Sequence, residues 1–222
     1  MSTQTASDYQ TYGNWLSRRL NFVWQVVRRP HHFLRWSKAR TVTSSALDQG
    51  IPWLSWPAID YLQRSLRPGM EVFEWGGGGS TLFFVRQGCS VTTVEDNADW
   101  KQAIERRLAG SLEAGRQRLT VQLVPVSKDD RASLERYIAP VRADQWDVVL
   151  VDGADAVQRS DCVKAACDHV RPGGLLVLDD AYRPDYAEVP AILQQWRRLP
   201  FWGLGPGRRG VTKTDVYVCP ED

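Results

Sequence analysis

Met70-Glu71-Val72-Phe73-Glu74-Trp75-Gly76-Gly77-Gly78-Gly79-Ser80-Thr81 reads as a short apolar strand that ends in an acid, runs through four glycines and opens a helix. Twenty-one residues after Glu74, the strand Val91-Thr92-Thr93-Val94 ends in Glu95. Two neighbouring strands that each end in an acid, with a glycine turn between them, suit a nucleoside ligand. Glycines let backbone N–H groups approach a ligand closely, and a helix start adds positive partial charge. An acid about twenty residues further on accepts hydrogen bonds from two ribose hydroxyls. The candidate cofactor residues are therefore Glu74, Gly76, Gly78, Ser80 and Glu95, with Asp152 at a later strand end.

Working outward, the pattern alternates from residue 57 onward. A helix is expected over Pro57–Leu66, with Ile59, Leu62 and Leu66 on one side and proline in its first turn. Strands are expected at 70–75, 90–95, 119–126, 146–151 and 175–178. Helices are expected from Ser80, over Ala98–Leu108, Asp130–Ala139, Ala156–Val170 and Tyr186–Leu199, with a turn at Arg171-Pro172-Gly173-Gly174. Trp146–Val151 is an unbroken apolar run, the signature of a strand buried on both faces. The end of the chain changes character. Phe201–Leu204 and Thr214–Cys219 are joined by a Gly/Pro/Arg loop at 205–210 with no helix, which reads as an antiparallel hairpin. Five βα units and this hairpin predict an α/β fold, a seven-stranded, doubly wound, Rossmann-like sheet. Residues 1–47 form a separate basic helical extension, and 48–222 the main domain.

The chain has 222 residues, enough for one domain with an ordinary core, and a net charge of +2, which excludes a general polyanion binder. The first dozen residues are polar and lack the apolar stretch of a secretory signal. Cys89, Cys162, Cys167 and Cys219 form no C-x-x-C pair, and read as reduced thiols of a cytoplasmic protein. Charge is uneven, however. Residues 15–40 carry seven Arg or Lys and no acid, interleaved with Trp15, Leu20, Val23, Trp24, Val27, Leu34 and Trp36, and Pro30 divides them into two helices. Such a segment either caps the core with its arginines in solvent or lies on an anionic membrane surface; nucleic acid is the weaker match.

The order E-x-G-x-G-S-T resembles motif I of the class I S-adenosylmethionine (SAM) methyltransferases. A dinucleotide loop would carry a third glycine and no acid at the strand end. The resemblance covers roughly residues 52–219 and implies that Glu74, Gly76 and Gly78 hold the methionine end of SAM and Glu95 the ribose. Trp56-Pro57-Ala58, the glycine segment and Gly203-Leu204-Gly205-Pro206 are similar to a less characterised bacterial methyltransferase group. The implied activity is methyl transfer to a small-molecule acceptor, at oxygen.

In an open α/β sheet, ligands sit beyond the carboxyl ends of the strands. Asp152 ends one such strand and Asp179-Asp180 the next, so these three are the candidate catalytic residues. The arrangement is similar to that of the catechol and caffeoyl-CoA O-methyltransferases, and this implies a magnesium-type ion held by Asp152, Asp179 and Asp180. The chain departs from that pattern in its Asp-Asp pair, in Gly153 and in having no lysine nearby to act as a base. Asp129 or Asp130 at the adenine edge, His31 or His32 as a base, Arg159 and Arg183 as grips on an anionic acceptor, and Trp53, Trp56 and Trp75 as stacking partners complete the candidates. Two other readings remain. One is an aminopropyltransferase, faintly suggested by Asp152-Gly153-Ala154-Asp155; the other is a non-catalytic SAM-binding protein held at a membrane surface.

Overall fold

The structure, a computed structural model, describes residues 15–41, 46–109, 118–153, 159–208 and 210–221. Helices α1 (Trp15–Arg28) and α2 (Pro30–Thr41) are followed by a short turn of helix, α3 (Ala46–Gln49), and by α4 (Trp56–Ser65). Then β1 (Glu71–Trp75), α5 (Gly79–Arg86), β2 (Ser90–Glu95), α6 (Ala98–Leu108), β3 (Leu119–Leu123), α7 (Arg131–Ile138), β4 (Trp146–Val151), α8 (Arg159–Ala166) and β5 (Val170–Leu178) alternate. A short helix α9 (Val189–Ile192) precedes β6 (Arg197–Leu204) and β7 (Val211–Val218).

The seven strands form one sheet in the order β3-β2-β1-β4-β5-β7-β6. β1 to β5 run parallel, and β7 pairs antiparallel with β5 and β6. The order reverses between β1 and β4, and at that switch point the strand ends splay and leave a crevice. Successive side chains of a strand point to opposite faces, and the core divides accordingly. Val72, Val148, Leu150 and Val177 pack on one face with the N-terminal helices, α4 and α5. Phe73, Trp75, Val149, Val151, Leu176 and Leu178 pack on the other with Tyr137 and Val163. The doubly wound architecture and the terminal hairpin are those expected from the sequence.

Three details differ. The Arg171–Gly174 turn lies inside β5, where the register with β4 shifts between Trp146 and Val148. The helix expected over 186–199 shrinks to Val189–Ile192, because the hairpin claims its second half. β6 pairs back to Arg197 opposite Val218, and Arg198 donates twice to the buried Asp215 carboxylate, at 2.9 and 2.6 Å. β3 ends at Leu123 rather than Val126.

The helical extension packs on this hairpin. Trp36 joins the core, with Phe22 and Phe33 at 5.5 and 5.6 Å between ring centroids. Arg29 reaches the Trp202 carbonyl of β6 at 3.1 Å. Residues 1–14 and 42–45 of the expected extension lie outside the described residues.

Candidate active site

A cleft of about 450 Å³ opens beyond the carboxyl ends of β1, β2, β4 and β5. Gly76 to Ser80, Glu95, Asp96 and Trp100 line one half. Trp53, Asp152, Gly153, Arg159, Asp180, Arg183 and Arg208 line the other.

The glycine half is built around two acids. Gly76 has φ +82°, and a side chain there would meet the Asp152 carbonyl at 2.5 Å; Gly78 has φ +150° and faces the Trp100 ring. Only glycine serves at either position. Glu74 lies beneath the loop, fully buried, and does not line the cleft. Its Oε1 accepts from Thr93 Oγ1 at 2.7 Å and from Thr81 Oγ1, and the Thr81 oxygen in turn accepts from the Gly78 N–H at 2.9 Å. The threonine of the G-S-T run thus pins the glycine loop to the acid below it. Glu74 Oε2 is buried without a partner, and burial pushes the carboxyl up to about 7 against the pull of the hydroxyls.

Glu95 does line the cleft. One carboxylate oxygen accepts from the Gly77 N–H at 3.1 Å, the other from the N–H groups of Asp96 and Asn97 at 3.1 and 3.0 Å. Burial raises its pKa, opposed by the Asn97 and Gly77 backbone bonds. Asn97 caps α6 through its bond from the Trp100 N–H at 2.9 Å, and the Trp100 indole donates to the Gly77 carbonyl at 2.7 Å. That second bond fixes a flat aromatic wall beside the loop.

The other half is an acid–guanidinium lattice. Arg159 donates to Asp152 Oδ1 and to the Asp179 carbonyl, both at 2.8 Å. Arg208 bonds Asp179 Oδ2 at 2.8 Å and Asp180 Oδ1 at 3.1 Å. Arg183 pairs with the other Asp180 oxygen. Asp180 has φ +53°, the only positive value outside glycine among the described residues. Strain of this kind gathers at functional sites. Asp179 is wholly buried and off the cleft. It accepts from Thr214 Oγ1 at 3.0 Å, and that oxygen accepts from the Ser55 N–H at 3.0 Å. Burial and the charges of Asp152 and Asp180 push Asp179 up to about 7, against Arg208 and Arg159.

The sequence-level candidates divide accordingly. Gly76, Gly78, Ser80, Glu95, Asp152 and Asp180 meet in one cleft, with Arg159 and Arg183. Asp179, also expected there, does not line the cleft and is bonded by Arg208. The three aspartates of the expected metal site do not bring their oxygens within 4.8 Å of one another. Asp152, Asp179 and Asp180 are each engaged by arginines, whose positive charge disfavours a cation among them. Among the described residues only His31, His32 and Asp60 bring three ligand-type atoms within 4.8 Å. Those histidines are not bases of this site. His32 Nε2 bonds Asp60 at 2.8 Å, and neither lines the cleft. Asp130 caps α7 through Ala132 at 2.9 Å, off the cleft, as is Asp129. Trp75 is buried, its indole on the Tyr137 carbonyl at 3.0 Å, and Trp56 carries Arg35 at 3.9 Å; of the three proposed stacking partners only Trp53 lines the cleft. Trp100 and Arg208 were missed. Trp100 reads as one more apolar helix position, and Arg208 stands in a Gly/Pro/Arg loop with no periodic signal.

No protein-family model matches the chain, and no curated protein matches it. Solved structures do. The O-methyltransferase from Bacillus cereus, in complex with SAH, matches with a TM-score of 0.57 at 17% identity, over 80% of this chain and 92% of that one. The O-methyltransferase TomG from Streptomyces achromogenes, involved in tomaymycin synthesis and solved with SAM, gives 0.54 at 16%, over 81% and 91%. A methyltransferase-like protein from Silicibacter pomeroyi gives 0.55 at 22%, over 78% and 92%. The fold is that of the class I methyltransferases.

Proposed function

We propose that this chain is a SAM-dependent methyltransferase acting on a small-molecule acceptor, at oxygen. One observation carries the reading: Glu95 and the glycine loop, far apart in sequence, form a single cradle in which the acid lines the cleft while bonded to the Gly77 N–H. The residues fit the ligand. Glu95 would hold the ribose diol of SAM, Trp100 would flank the adenine, and the Gly76–Gly78 backbone would take the methionine end. Glu74, tied to the loop through Thr81, holds the loop's shape beneath the ligand.

When bound, SAM supplies an electrophilic methyl group for in-line displacement. The protein's contribution is alignment and the management of one proton. Asp152, with its side chain a quarter exposed and anchored by Arg159, and Asp180, clamped by Arg183 and Arg208, accept the acceptor's O–H and turn its lone pair toward the methyl. The three arginines of the acceptor end are paired with aspartates and offer N–H donors to a polar acceptor. No step runs through a metal.

The test is calorimetry with SAM, followed by incubation with methyl-labelled SAM and a panel of phenolic and carboxylic acceptors. Micromolar SAM binding with label transferred to an oxygen supports the reading. Absence of SAM binding overturns it, and transfer of an aminopropyl group would favour the aminopropyltransferase reading.

A second reading concerns location. Leu20, Val23, Trp24, Val27 and Leu34 are 56–70% exposed on α1 and α2, beside Arg19, Arg28 and Lys38, with no acid between residues 15 and 41. We propose that this face rests on an anionic membrane on the cytoplasmic side, its aliphatics in the interface and its bases on headgroups. Nucleic acid would leave those aliphatics unburied. Salt-sensitive flotation with phosphatidylglycerol vesicles that Trp24→Glu abolishes supports this; no flotation of the full chain overturns it.

A further inference from the structure

A second cavity, of about 480 Å³, lies between α2, α4, the C-terminal end of α5 and the segment that follows α3. It shares no lining residue with the cleft described above. Ile51, Trp56, Ile59 and Phe83 give it an apolar floor. Arg35, Lys38 and Arg86 stand around it, and no carboxylate is among its lining residues. The volume is that of a small-molecule site, and such sites are mostly apolar with a few placed polar groups.

Arg35 is held in place by specific local structure, and Arg86 lies close against the turn at Gly50. Arg35 lies flat on the Trp56 ring at 3.9 Å and is fixed from behind by Asp60 Oδ1 at 2.6 Å. Arg86 folds over Gly50, where a Cβ would fall 2.3 Å from its Nη1; Gly50 has φ +60°, so glycine serves both the turn and the close approach. No described carboxylate pairs with Arg86. An apolar floor beneath guanidinium groups is complementary to a molecule with an apolar body and an anionic head.

We propose that this cavity is a second binding site, for an anionic amphiphile whose phosphate or carboxylate head sits among Arg35, Lys38 and Arg86 and whose apolar body lies on Ile51, Ile59 and Phe83. The site stands on its own lining and is independent of methyl transfer. Its ligand comes either from a bilayer or from solution. The adjoining helix α2 ties the site to the cleft, because Trp36, next to Arg35, bonds the backbone of Arg208.

The test is calorimetry of the full chain with dodecyl phosphate below its micellar concentration, with dodecyltrimethylammonium as control. Binding of the phosphate, weakened about tenfold or more by Arg86→Glu and by Gln63→Glu and retained in Arg86→Lys, supports the site. Gln63→Glu adds an acid at the exposed rim without removing a packed group, and unchanged thermal melting shows that each variant is folded. Equal binding of the cationic detergent, or dodecyl phosphate affinity unmoved in both glutamate variants, overturns the proposal. Competition with dihexanoyl phosphatidylglycerol below its micellar concentration then separates the sources: displacement of dodecyl phosphate assigns the site to a bilayer lipid, and no displacement assigns it to a dissolved amphiphile.

Discussion

The indole N–H of Trp36 donates to the backbone carbonyl of Arg208 at 2.9 Å, across 172 positions of sequence. Arg208 in turn holds Asp179 and Asp180. Among the described residues none of α1 or α2 lines the cleft, and the extension reaches it through this indirect link. Trp36→Phe keeps the ring contacts with Phe22 and Phe33 and deletes the bond. We expect a loss of about 1 kcal/mol in stability, faster amide exchange over residues 205–208 and an unchanged SAM affinity. Unaltered exchange in that loop would show that the bond constrains nothing.

Glu95 joins the ribose end of the cleft to the glycine loop through three backbone bonds. Glu95→Ala is expected to weaken SAM binding by about 1–3 kcal/mol, the scale of lost charged hydrogen bonds. Trp100→Ala should weaken it too, by removing both the wall and its tether to Gly77. Calorimetry that finds both variants at wild-type affinity would move the ligand elsewhere.

Asp180 and Asp179 are neighbours with different roles, and their variants should separate. Asp180→Asn is expected to lower turnover with little effect on SAM affinity. Asp179→Asn removes one of the two buried carboxylates that hold Arg208 and should act first on folding, by about 1–3 kcal/mol in chemical denaturation. Turnover should survive exhaustive chelation, since arginines occupy the carboxylates. Loss of activity on chelation and recovery with magnesium would restore the metal.

Glu74 binds its proton more tightly in the folded chain than in the unfolded one, its pKa moving from 4.5 to about 7 through burial. The stability that Glu74 contributes is therefore fully present below about 4.5 and is lost as pH rises through about 7, on the order of 3 kcal/mol for the full shift. Asp179, also raised to about 7, adds to the same slope. Glu74→Gln should flatten the decline measured by urea midpoints between pH 5 and 7, and a slope equal to wild type would contradict the assignment.

The sheet was legible because its strands alternate between two buried faces and its turns carry glycine and proline. The cradle was legible because an acid, a glycine turn and a second acid recur at fixed spacing. What escaped depends on contacts across the fold. Glu74 reads as a ligand-facing acid, yet Thr81 and Thr93 capture it from below. Asp179 and Asp180 are adjacent letters, but the chain's turn at φ +53° sends one into the core and one to the cleft. Arg208 reaches both from a loop 28 residues beyond Asp180, and no local pattern announces that.

β6 is the terminal strand of the sheet, and such an edge invites pairing with another chain. Here Pro200 offers no N–H, the Phe201 carbonyl accepts from Ser55 Oγ at 3.0 Å, and the Trp202 carbonyl accepts from Arg29 at 3.1 Å. α1, α2 and α4 lie against the same strand. The extension thus acts as an end-stop against polymerisation, and a chain clipped before Arg29 would carry half of that lid into any crowded solution.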